Sequence, residues 1–126
     1  MISLMNTLRD AAIELDAEKV INLSLDTPEF LFFSDGEVVN YEQFVKAERE
    51  GFSNFASHQL TWDTLYVKVL SPNVVSALAP FHQKLTQHDG TVLQREGEVT
   101  WIATRTAEGL KLIYGHAGHR PGTTSN

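Results

Sequence analysis

The chain has 126 residues and no cysteine, and its 10 Lys plus Arg stand against 16 Asp plus Glu for a formal net charge of −6. A single domain of this length can bury about two-thirds of its unfolded surface, and the acidic balance argues against nucleic acid or an anionic membrane as a partner. The missing thiols exclude disulfides, a cysteine nucleophile and cysteine-held metals. Arg9, Asp10 and Glu14 interrupt any apolar leader and no apolar run can span a bilayer, so a soluble, cytoplasmic domain is the expectation.

In chain order, Leu4, Leu8, Ala11, Ala12 and Leu15 recur at helical spacing and predict an amphipathic helix over residues 3–15. Asp16 can cap a short second helix from Ala17 to Ser24, and Pro28 ends that region. The apolar run Glu29 to Ser34, the turn Asp35-Gly36 and the segment Glu37-Val38-Val39 read as a small hairpin. Asn40-Tyr41-Glu42-Gln43 is a capping-box pattern that starts a third helix, on which Phe44, Ala47, Gly51, Phe52 and Phe55 trace an apolar stripe destined for the core. From His58 to Leu70 the pattern alternates as in a strand, and Ser71-Pro72-Asn73 turns into three long β-branched runs: Val74 to Gln87, Thr91 to Thr106 and Leu110 to His119. The glycine-containing connections His88-Asp89-Gly90 and Ala107-Glu108-Gly109 make these runs an antiparallel meander. Pro80 cannot donate to a ladder, which predicts a bulge or an edge position. One domain over residues 1–119 followed by a polar tail over 120–126 is the expected organisation.

Several chemistries lack their motifs. There is no glycine-rich phosphate cradle and no G-x-S-x-G elbow. His116 and His119 are three apart, which on a strand turns them to opposite faces, and the other histidines are scattered, so no metal site is expected.

The order helix, helix, hairpin, helix, long strands, with Phe32-Phe33-Ser34-Asp35-Gly36 before the third helix and a last strand Gly109-Leu110-Lys111-Leu112-Ile113-Tyr114-Gly115-His116-Ala117-Gly118, resembles the nuclear transport factor 2-like superfamily. The likeness is to its SnoaL-like branch and to the calcium/calmodulin-dependent kinase association domain. Leu110 stands where relatives carry a tryptophan, and His116-Ala117-Gly118 stands where they carry His-x-Ser. The resemblance implies an α+β, cystatin-like cone: a strongly bent antiparallel sheet wrapped around three N-terminal helices, with a pocket at its open end and often a homodimer formed through the sheet. It does not extend to ketosteroid-isomerase chemistry, because the first helix has no tyrosine and Asp35 is the only acid between Phe32 and Asp35.

A concave, mainly apolar cavity with a few polar groups is what a small-molecule site requires. The expected pocket residues are Phe32, Trp62, His82, Trp101 and His116, with Trp101 and His116 sharing the concave face. The competing reading makes both histidines hydrogen-bonded structural residues and both tryptophans core. The first functional expectation is a homodimeric binding domain for a small, partly apolar molecule, with no cofactor. The alternative is a cofactor-independent lyase or isomerase in which His116 transfers the proton, assisted by His82, Tyr66 or Asp35. The third reading is an oligomerisation module.

Overall fold

The structure is a computed structural model that describes residues 1–125, with side chains through Pro121. Its elements are α1 (Ile2–Ile13), α2 (Ala17–Asn22), β1 (Leu31–Ser34), β2 (Glu37–Val39), α3 (Tyr41–Ser53), β3 (Phe55–Trp62), β4 (Tyr66–Ser71), β5 (Val74–Gln87), β6 (Val92–Thr106) and β7 (Gly109–Ser125). Capping chemistry written in the sequence sets two of the helix starts. The Asp16 carboxylate accepts from the Lys19 backbone N–H at 3.0 Å to begin α2. At α3 the Asn40 side chain accepts from Gln43 N–H at 2.9 Å while the Gln43 side chain accepts from Asn40 N–H at 3.0 Å, a complete capping box.

The strands form one sheet in the order β2-β1-β7-β6-β5-β3, with β4 also paired to β5. All ladders are antiparallel except β1 with β7, where Phe33 lies opposite His116 and Ser34 opposite Ala117. The stretch read as one strand from His58 to Leu70 is two, since Asp63-Thr64-Leu65 breaks it. β3 then pairs with the second half of β5 and β4 with the first. Pro80 sits at neither a bulge nor an edge but in the middle of β5, in register with Glu98. Its carbonyl accepts from Asp63 N–H at 2.8 Å, so its ring nitrogen faces the break between β3 and β4, where no ladder donor is needed. The polar segment from Arg120 is likewise part of the sheet, because β6 begins early enough to offer a partner: Glu96 lies opposite Arg120 and Val92 opposite Ser125. Residue 126 lies outside the described residues.

Helices cover one face of this sheet. Met5, Leu8 and Ala11 of α1, Val20 of α2, Phe30 and Phe44 pack on Ala77, Ala79, Phe81, Val99, Trp101, Ala103, Leu112 and Ala117. Small residues on the strands leave room for rings. A Cβ on Gly115 would stand 2.5 Å from the Trp101 ring, so glycine is what lets the indole lie flat on β7. Helices on one side of an open, mainly antiparallel sheet make this the α+β cone that the resemblance implies.

Candidate functional site

Strand alternation and the observed register divide the expected site residues into two groups. Trp101 lies opposite Gly115 and faces the helices, whereas His116 lies opposite Thr100 and faces out. His82, in register with Glu96, also faces out. Phe32, Trp62 and Trp101 are brought together on the concave side, lining a cavity of about 150 Å³. His82 and His116 are not part of it. The reading of His116 and Trp101 as neighbours is therefore corrected by one residue of register, which sends them to opposite faces. On the outside His116 stacks on Phe33, with centroids 5.2 Å apart and planes 23° apart. His82 is held between Asp63 at 2.6 Å and Glu96 at 3.2 Å. Those hydrogen bonds and charges, Asp63 foremost, raise its pKa above the ordinary histidine value.

The histidine that does face the cavity from β7 is His119, with its ring edge on Phe81. It is fixed from behind by Asp35, the residue that the turn between β1 and β2 holds in a left-handed conformation, φ 48°. The His119 Nδ1–H donates to Asp35 Oδ2 at 2.8 Å and its backbone N–H donates to Asp35 Oδ1 at 3.0 Å. Burial by itself would raise the Asp35 carboxyl. The two hydrogen bonds from His119, helped by the charges of His119 and Arg95, overcome that and hold it below the ordinary carboxylate value. Asp35 thus does more than turn the chain: in the neutral ring it selects the tautomer with the proton on Nδ1, whose Nε2 is an acceptor. Nε2 has no hydrogen-bond partner among the described residues.

A second polar chain runs along the side of the cavity. Arg95 Nε–H donates to Gln83 Oε1 at 3.0 Å, the Gln83 amide donates to His58 Nε2 at 2.9 Å, and His58 Nδ1–H donates to the Ala12 carbonyl at 2.9 Å. Burial lowers the His58 pKa against the opposing pull of the Ala12 carbonyl, so the ring is neutral, with the single Nδ1 proton that this chain requires. These groups satisfy one another and tie α1 to β3, β5 and β6.

Glu48 is the other polar lining residue. Phe44, Glu48 and Phe52 follow at i, i+4 and i+8 on α3 and all line the cavity. Ala47, expected on the apolar stripe, is exposed, and Glu48 takes the inward position between Phe44 and Phe52. The i, i+4, i+8 spacing between two phenylalanines was the available signal. No hydrogen bond or ion pair to the Glu48 carboxyl occurs among the described residues, and burial pushes its pKa up to about 7. In the same cavity lining, Trp101 stacks on Phe32 at 4.8 Å and 18° and meets Phe44 edge-on at 6.1 Å and 82°.

No protein-family model matches the chain, and no curated protein matches it in sequence. Solved structures do match. A nuclear transport factor 2-like superfamily protein from Salmonella enterica superposes with a TM-score of 0.82 at 15% identity, covering 98% of this chain and 89% of that one. A candidate dehydratase of the nuclear transport factor 2-like family from Streptomyces avermitilis gives 0.81 at 15% identity, over 95% and 91% of the two chains. A candidate calcium/calmodulin-dependent protein kinase II association domain from Xanthomonas campestris gives 0.80 at 16%, over 97% and 86%. The chain has the nuclear transport factor 2-like fold.

Proposed function

We propose that the cone binds a small, mainly apolar molecule and that the chain is a cofactor-independent lyase or isomerase whose proton-transfer base is His119. The observation that carries this reading is the His119–Asp35 pair: Nδ1 is committed to a carboxylate at 2.8 Å while the ring lines the cavity. A histidine held in one tautomer by a carboxylate presents its other nitrogen as a base and stabilises the imidazolium that forms when it takes a proton. His119 replaces His116 in that role because, of the two, only His119 faces the cavity. The dehydratase relative is in keeping with chemistry of this class. The test is deuterium incorporation from D2O into small ring ketones of about the size of cyclohexanone, followed by NMR. Exchange that disappears in His119→Ala while circular dichroism and subunit count are unchanged supports the reading. Undiminished exchange refutes it.

The same reading makes the protein a homodimer paired through the outer face of the sheet. Leu31, Phe33, Leu78 and Tyr114 lie exposed there, Phe33 at 38% and Tyr114 at 51%, an apolar patch beside His116. At one end of the patch Arg120 donates to Glu98 at 2.6 Å, so its rim carries both signs of charge and suits contact with a second copy of itself.

A further inference from the structure

We propose that Glu48 and the aromatic rings that line the cavity with it form a subsite for an ammonium group, so that the molecule taken up by the cone is a small amine with a ring-sized apolar body. The inference rests on the cone being a ligand site, and not on His119 acting as a base.

The argument starts from what is left over in the cavity. His58 and Gln83 are spent on each other, on Arg95 and on the Ala12 carbonyl, and the Trp62 indole N–H donates to the Met5 carbonyl at 3.1 Å. Among the described residues that line the cavity, the Glu48 carboxyl and His119 Nε2 are the groups left with no partner at all. The first accepts when ionised and the second accepts in the tautomer that Asp35 selects. A ligand that satisfies them has to donate, and an ammonium has three donors and no acceptor. Phe32, Phe44, Phe52, Trp62 and Trp101 line the same cavity, and aromatic faces attract a cation through their quadrupoles. The chain's net charge of −6 favours the approach of a cation over that of an anion. The volume fits one ring: a cavity of about 150 Å³ is the size that admits benzene.

Glu48 has no partner charge among the described residues, and burial raises its carboxyl to about 7, so it ionises well above the ordinary carboxylate range. The titratable groups sharing the cavity with it are His58 of β3 and His119 of β7, with Asp35 behind the latter, and the one cation of the polar chain at its side is Arg95 of β6, bonded to Gln83. An ammonium would supply the missing positive charge and draw the carboxyl back toward its ordinary ionisation.

Two probes of matched shape test this: benzylamine, which is charged at neutral pH, and benzyl alcohol, which is not. Isothermal titration of the wild-type protein at pH 8 should give at least tenfold tighter binding of benzylamine. Lowering the pH to 6 should weaken it about tenfold as the carboxyl of the free protein takes up its proton, a check that needs no variant. In Glu48→Gln the preference for the amine should vanish. Benzyl alcohol binding as tightly as the amine, or amine binding unchanged in Glu48→Gln, overturns the ammonium subsite while leaving the cone as a ligand site. If neither probe binds, both the subsite and the ligand site fall.

Discussion

Replacing Glu48 by glutamine is expected to stabilise the protein at neutral pH and to leave its stability unchanged in acid. The carboxyl has an ordinary pKa of 4.5 and one of about 7 in the folded protein. Between those values the unfolded chain has lost this proton and the folded chain still holds it. Stability therefore falls as pH rises through the window, by about 1.4 kcal/mol per pH unit where the difference is one full proton. The whole interval amounts to about 3.4 kcal/mol at 1.36 kcal/mol per unit. The side chain is only half-buried, and water that reaches it brings the expected difference down to about 2–3 kcal/mol. Glutamine is close in shape and does not ionise, so the variant lacks this slope. The assay is urea unfolding of both proteins at fixed concentration and ionic strength from pH 4 to pH 8.5. The curves should coincide near pH 4, diverge through pH 5–7 with the variant on top, and run parallel above. A stability difference that does not change with pH, or a wild type more stable at pH 8, refutes the assignment of Glu48 as an unpartnered carboxyl.

Other outcomes follow from the same geometry. Asp35→Asn should slow solvent exchange into ring ketones as His119→Ala does, since an amide in place of the carboxylate no longer fixes the tautomer, whereas His116→Ala should leave that rate unchanged; NMR of the product reads both. Because the Asp35 pKa is lowered in the folded state, the stability this group contributes is present above the ordinary carboxylate value and is lost as pH falls through the folded one, so the acid limb of the urea series should flatten in Asp35→Asn. Gly115→Ala forces a methyl to within 2.5–2.8 Å of the Trp101 ring, and a loss of about 1–3 kcal/mol should appear in the same unfolding assay. Phe33→Glu together with Tyr114→Glu should convert a dimer to a monomer in light scattering, and a wild type that is monomeric at the outset contradicts the paired outer face.

What the sequence disclosed was governed by local rules. The Asn40–Gln43 capping box reads the same in both accounts because it is made of hydrogen bonds between residues three apart. The element order and the meander are equally local, set by glycine turns and by period-two alternation. The site was legible only as far as its aromatic residues. Phe32, Trp62 and Trp101 are large and apolar, and the concave face is where such side chains are buried. The histidines on neighbouring strands follow no such rule, because a polar side chain is tolerated on either face and only register decides. The register here depends on nonlocal pairing: a parallel contact of β1 with β7, and an irregularity where Ile102 faces Tyr114 but Ala103 faces Leu112, skipping Ile113.

That irregularity is what allows one strand to serve two surfaces. Leu112 and Ala117 of β7 are both buried against the helices, although a strand of strict alternation would send residues five apart to opposite faces. The extra residue at Ile113 absorbs the mismatch, so the core contact of Leu112 beside α2 and the inward positions of Gly115, Ala117 and His119 coexist on one strand. Tyr114 and His116, between them, are turned out beside Phe33. Removing Ile113 would restore strict alternation and flip either the core residue or His119 to the wrong face. The histidine at the cavity and the aromatic patch outside are thus set on their opposite faces by the same extra residue.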